Sequence, residues 1–216
     1  MATLREARTH QEEFLARAKT RTEPVHSSVE GVDVKVNPGV FPPATDTRLL
    51  AEYVKVDMGE RIIDVTTGCG VIAIIAGLQG ASGYAVDINP VAVDNAQENI
   101  DQYGVEIEAV ASDLFENIPD GEQFEWIFAN GPFFEGKITD PMDYACYGAR
   151  PFVENLMAGA KVRLKPKGKL RMVVSEYSEL DHLAATAEAN GLSATILETK
   201  RSSDGKRGYL LYEFKL

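Results

Sequence analysis

From Gly59 onward, short apolar runs alternate with helix-patterned stretches, and no other feature of the chain constrains its fold as much. Arg61–Val65 reads as a buried strand, Val71–Gly77 as a helix and Gly83–Asp87 as a second strand. Asn89-Pro90 opens the next helix, because asparagine can cap and proline fits a first turn where its missing N–H costs nothing. That helix runs to about Tyr103. Strands follow at Glu106–Val110, Trp126–Ala129, Leu170–Ser175, Ser193–Glu198 and Gly208–Phe214, with helices at about Arg150–Arg163 and Ser178–Asn190. Such alternation builds a mostly parallel sheet covered on both faces. Only the turn around Ser202–Gly205 separates the last two strands, so they should pair as an antiparallel hairpin at one edge. The expected fold class is α/β: a Rossmann-like, doubly wound, mostly parallel seven-stranded sheet with an antiparallel edge hairpin.

Ahead of this block, residues 3–19 pattern as an amphipathic helix with Leu4, Ala7, Phe14, Leu15 and Ala18 on one face. Ser28–Val36 alternates about Gly31, the mark of a short hairpin. Pro38-Gly39 and Pro42-Pro43 indicate a loop, and a helix from about Asp46 turns Leu49, Leu50 and Tyr53 inward. The chain is thus expected to divide into an N-terminal helix and hairpin, residues 1–44, and a ligand-binding domain, residues 45–216. The apolar stripe of the first helix needs a cover. As a lid over the pocket mouth, the helix would bring Phe14 and Leu15 towards Tyr144 and Tyr147.

The chemistry is concentrated in Asp64-Val-Thr-Thr-Gly-Cys-Gly70, between the first strand of the regular block and its helix. Gly68 and Gly70 permit a sharp turn and let a ligand lie against the backbone. Asp87 ends the next strand, where a carboxylate can accept both hydroxyls of a ribose. Gly68–Ala73 alone also fits a dinucleotide fingerprint, but a lone match is a weak signal. Three features favour S-adenosylmethionine (SAM) over a nicotinamide dinucleotide. Asp64 precedes the glycines, where it attracts an ammonium group and would repel a pyrophosphate. Asp113, in Ser112-Asp-Leu-Phe115, can accept an adenine amino group. Asn130-Gly-Pro-Phe133 follows the fourth strand, where open α/β sheets place ligands beyond their carboxyl ends.

These segments resemble the class I SAM-dependent methyltransferases, and most of all the small release-factor glutamine methyltransferases of the archaeal and eukaryotic type. The resemblance rests on Val40-Phe-Pro-Pro-Ala-Thr-Asp-Thr-Arg-Leu-Leu50, Ile63–Gly70, Val86-Asp-Ile-Asn-Pro90, Ser112–Asn117 and the Asn130 motif, over roughly residues 40–175. It implies Thr47, Asp64, Thr66, Gly68 and Gly70 around the methionine end of SAM. It places Asp87 and Ile88 at the ribose, and Asp113 and Leu114 at adenine. In the resembled family the motif is Asn-Pro-Pro-Tyr, whose Asn side-chain carbonyl and following backbone carbonyl accept the two N–H bonds of an amide. Here Asn130 supplies the first, Gly131 keeps the second without proline's rigidity, and Phe133 can stack on a planar group. Tyr144 and Tyr147 would shape the substrate pocket beside them.

Composition bounds the partners. Hydrophobic residues at 44% and charged residues at 25% are those of an ordinary globular chain, and the longest apolar runs, such as Val71–Leu78, fall far short of a membrane span. Met1–Arg21 is charged throughout, unlike a signal peptide, and Cys69 and Cys146 suggest neither disulfide nor metal. No metal, no membrane and a cytoplasmic location are the expectations. A net charge of −11 argues against a nucleic-acid partner, and the basic run Lys161–Arg171 reads as a helix end and a solvated turn. The expected function is N-methylation of a small-molecule or peptide acceptor from SAM. The alternatives are protein-glutamine methylation, attack on another SAM carbon with release of methylthioadenosine, and non-catalytic SAM-binding regulation. A homodimer or an activator subunit stays open.

Overall fold

The computed structural model describes residues 3–216; Met1 and Ala2, the start of the expected N-terminal segment, lie outside it. Helix α1 (Leu4–Thr20) opens on a capping box in which Thr3 and Glu6 bond reciprocally. Hairpin β1 (Val25–Val29) and β2 (Val32–Val36) and helix α2 (Thr45–Ala51) follow. The regular block comprises β3 (Arg61–Asp64), α3 (Val71–Leu78), β4 (Ser82–Asp87), α4 (Pro90–Tyr103), β5 (Ile107–Ala111), β6 (Phe124–Ala129), α5 (Ala149–Arg163), β7 (Leu164–Ser175), α6 (Leu180–Ala189), β8 (Ser193–Arg201) and β9 (Gly208–Lys215). A 3-10 turn, Pro141–Ala145, interrupts the long connection between β6 and α5. No helix among the described residues is long and apolar enough to cross a membrane.

The seven-stranded sheet has the order β5-β4-β3-β6-β7-β9-β8. Strands β3 to β7 run parallel, and β9 inserts antiparallel between β7 and β8. The order reverses at β3, so the crevice where ligands bind in such sheets opens beyond the carboxyl ends of β3 and β6. One face is packed by α2, α3, α4 and the β1–β2 hairpin, the other by α5 and α6. The hairpin is held by two buried asparagines of α4. Asn95 and Asn99 accept from the backbone N–H groups of Asn37 and Lys35, and Asn99 also donates to the Cys69 carbonyl at 2.8 Å. Hairpin, helix and glycine loop therefore form one connected unit.

Two sequence expectations fail here for identifiable reasons. The basic run is not a solvated turn: β7 begins six residues earlier than its apolar pattern suggests, at Leu164 rather than Leu170. Its cations have partners, with Lys165 on Glu125 at 2.7 Å, Lys169 over the Trp126 ring, and Arg171 on Glu213 at 2.8 Å, only 8% exposed. Leu4 is 56% exposed rather than inward. Gln11 takes a buried place on that face instead, its amide reaching Cys146 Sγ at 3.3 Å.

Candidate functional site

The ends of four parallel strands and the loop before α2 surround a cavity of about 1310 Å³ measured out to open solvent, ample for a nucleoside-sized ligand. Gly68 and Gly70, with φ of +54° and +84°, turn the chain from β3 into α3. A Cβ on Gly70 would lie 3.2 Å from the Ala96 backbone, so the turn tolerates little else. Asp87 pins this loop: its Oδ2 accepts the Gly68 N–H and its Oδ1 the Asn89 N–H, both at 2.9 Å. Each oxygen retains lone-pair capacity facing the cavity. Burial raises this carboxyl above its ordinary range, opposed by the two N–H bonds.

Asp64 is 1% exposed and lines the same cavity. It accepts the Thr67 hydroxyl at 2.7 Å, and no cation pairs with it. Burial pushes it up to about 7, with the Asp87 charge adding and the Thr67 bond opposing. A buried carboxylate lacking a counter-cation fits an ammonium group and would repel a pyrophosphate. Leu114, buried with φ +50°, holds a left-handed backbone at the cavity wall beside exposed Asp113. Glycine loop, ribose-height carboxylate and ammonium-height carboxylate together suit SAM.

Asn130 forms the floor on the other side. Its N–H donates to Thr66 Oγ1 at 2.8 Å and its side-chain amide to Thr47 Oγ1 at 3.2 Å. The same side chain hydrogen-bonds to the carboxyl of Asp46, a residue only 7% exposed. Burial raises that carboxyl, opposed by its bonds to Thr47 and Asn130. Asn130 Oδ1 is buried without a hydrogen-bond partner and belongs to a cavity-lining residue. A buried acceptor left open in this way awaits an N–H donor.

The structure brings Thr47, Asp64, Thr66, Gly68, Asp87, Ile88, Asp113, Leu114, Asn130, Gly131 and Tyr144 to the cavity wall. Gly70 stands behind it as the N-cap of α3. Three residues expected at the substrate are elsewhere. Phe133 is buried against Tyr209, with ring centroids 5.9 Å apart. Tyr147 packs over Gly136 and reaches towards Glu12 of α1. Phe14 sits one layer back, on the cavity-lining ring of Phe41 at 5.0 Å. Leu15 packs with Met142 and Cys146, behind the loop that carries Tyr144. Sequence reasoning missed Asp46, Phe152 and Met142 as lining residues. Asp46 was visible beside Thr47 as a carboxylate at a helix start; nothing in the local pattern distinguished Phe152.

Residues 31–202 match the family model described as Methyltransferase small domain. A candidate protein N5-glutamine methyltransferase from Methanocaldococcus jannaschii is 33% identical over 127 residues, covering 56% of this chain and 64% of the relative. A tRNA1(Val) (adenine(37)-N6)-methyltransferase from Bacteroides fragilis is 28% identical over 181 residues, covering 79% and 76%. Among solved structures, the T. thermophilus 16S rRNA N2 G1207 methyltransferase in complex with AdoMet and guanosine aligns with a TM-score of 0.67 at 20% identity, covering 88% of this chain and 49% of that one. The chain spans less than two thirds of the length of the first and third of these proteins.

The exclusion of nucleic acid drawn from net charge is thereby overturned, since these relatives act on tRNA and rRNA. Net charge sums the whole surface. An enzyme working on one extruded base recognises it locally, in a pocket whose character the sum does not report.

Proposed function

The chain belongs to the methyltransferase small domain family, whose members are SAM-dependent methyltransferases, and from that premise we propose that it methylates the exocyclic amino group of an RNA base. The observation that carries this reading is the unpaired, buried Oδ1 of Asn130 on the cavity wall. An acceptor there suits a primary amino group on a planar conjugated system, which presents one N–H to Oδ1 and another to the Gly131 carbonyl. Beyond Asn130 the wall is apolar and partly aromatic, with Ile138, Met142, Tyr144 and Phe152, a surface on which a flat base can rest.

Bound SAM supplies an electrophilic methyl group on sulfur; the protein contributes placement. Asp64 holds the ammonium end, Asp87 the ribose hydroxyls, and Asn130 with Gly131 fixes the two amino hydrogens so that the nitrogen lone pair points at the methyl carbon. The N–C bond forms as the C–S bond breaks, sulfur leaves with the electron pair as a neutral thioether, and the surplus nitrogen proton passes to water. Alignment of this kind is the larger part of catalysis in a direct displacement.

A second reading, methylation of a peptide glutamine amide, is favoured by the 33% identity to the M. jannaschii relative. The two share donor geometry and separate by product. Incubation with tritiated SAM and total cellular RNA or total cellular protein, then digestion and mass spectrometry, decides between them. A methylated purine nucleoside supports the first reading and N5-methylglutamine the second. Methylthioadenosine with no methylated product overturns both.

A further inference from the structure

We propose that Asp46 is the residue that sets which end of the Asn130 amide faces the acceptor. The inference rests on the reading of Asn130 as the acceptor-orienting group. A side-chain amide is nearly symmetric in shape, with an acceptor oxygen at one end and a donor NH2 at the other. Flipped, Asn130 would present hydrogens to the acceptor's own amino hydrogens, and the contact would become repulsive. Something must hold the amide in one sense.

Two groups meet its NH2 end. Thr47 Oγ1, at 3.2 Å, is a hydroxyl that donates as readily as it accepts, so it would tolerate either orientation. The carboxylate of Asp46 only accepts when ionised. It is therefore the direction-setting partner: it takes an N–H from Asn130 and would repel Oδ1. Asp46 is itself fixed. Its Oδ1 accepts the Thr47 backbone N–H at 2.8 Å, in the first turn of α2, and it is 7% exposed on the cavity wall. The orphaned Asn130 Oδ1 is what this arrangement produces, since both NH2 partners lie on the far side and nothing on the near side competes with substrate. Asp46 thus works through Asn130 and is a positioning residue.

The test is a double-mutant cycle on the full chain. Asp46→Ala, Asn130→Ala and the double variant are compared by initial rate of tritium transfer from labelled SAM into total cellular RNA, or into total cellular protein where that fraction is labelled. SAM affinity comes from calorimetry and folding from thermal melting. Asp46→Ala is expected to lower the rate at saturating SAM at least tenfold while the SAM dissociation constant stays within threefold. In the Asn130→Ala background the same change should cost less than threefold, because the residue it orients is already gone. If Asp46→Ala fails to fold, Asp46→Asn, which keeps side-chain volume and removes the obligatory acceptor, takes its place with the same expectation. Full, independent losses from the two substitutions overturn this inference and leave the Asn130 reading standing. A silent Asn130→Ala, or labelling of neither fraction by the unaltered protein, overturns that reading and the inference with it.

Discussion

The Phe152 ring lies so close to Gly131 that a Cβ on that glycine would sit 2.3 Å from two of the ring carbons. The glycine in the Asn130 motif therefore does more than relax a loop where the resembled family has proline: it makes room for an aromatic side chain that lines the cavity. Gly131→Pro should destabilise the protein by about 1–3 kcal/mol, as overpacking does, and lower methyl transfer. Adding Phe152→Ala should recover at least half of that stability, a coupling expected of residues in contact. Urea denaturation of the two single variants and the double variant measures it. A fully tolerated Gly131→Pro would mean that the ring yields freely and does not define the site.

Asp64 gives the cofactor site a pH dependence. Its carboxyl is pushed up to about 7, chiefly by burial. The ionised form attracts the SAM ammonium and the protonated form does not, so binding is full above about pH 7 and falls as pH drops through that value. The limiting slope is about tenfold per unit for one linked proton. Calorimetry between pH 5.5 and 8.5, in buffers of different ionisation enthalpy, should show that slope, with proton release on binding near neutrality. Asp64→Asn should abolish the pH dependence and weaken SAM far more than adenosine, which lacks the ammonium group.

For Asp87 the structure adds a second duty to the one expected of it, because the same carboxylate that faces the ribose position also anchors the Gly68 N–H. Asp87→Ala should weaken SAM by about 1–3 kcal/mol, the range for charge-assisted hydrogen bonds. In the free protein, the Gly68 amide should exchange faster with solvent. Slower binding without faster exchange would indicate that the glycine loop holds its shape alone and that the ribose contact is the whole effect.

The sequence carried the fold well where its signals were local and repeated. The strand ends at Asp64, Asp87 and Asn130 could be placed because each ends an apolar run beside a turn residue, and the cofactor half of the cavity is built from those ends. The acceptor half was less legible. Phe133 has the chemistry of a stacking residue, but the choice between cavity and core is made by Tyr209, 76 positions away in sequence, which draws it inward. Phe152 reaches the cavity only because Gly131 leaves space, a relationship between two elements that periodicity does not encode. The start of β7 was hidden for the same reason: its lysines and arginine look solvated until Glu125, Trp126 and Glu213 are brought beside them.

Helix α1 bears on the pocket through the loop it supports. Lys19 reaches both Asp140 at 2.6 Å and Asp143 at 2.5 Å, at the start of the 3-10 turn whose other side presents Met142 and Tyr144 to the cavity. Arg8 donates to the Glu135 carbonyl, and Leu15 packs on Met142 and Cys146. This geometry supports a buttress that fixes the wall rather than a flap that covers the mouth. Burial alone would raise Asp143, but hydrogen bonds from Lys19 and Thr139 outweigh it and hold the carboxyl down at about 2. Its folded value lies below the ordinary 3.8, so the stabilisation is present above that pH and is lost as pH falls through about 2. Lys19→Ala should therefore cost on the order of 1–2 kcal/mol at neutral pH, from its share of that shift, and the gap from the unaltered protein should narrow as the medium is acidified below 3.8. Thermal melts between pH 2.5 and 7 test the stability claim. If α1 is a buttress, the variant should also bind its acceptor more weakly while SAM exchange stays unchanged; a flap would instead release SAM faster, and that result would restore the lid.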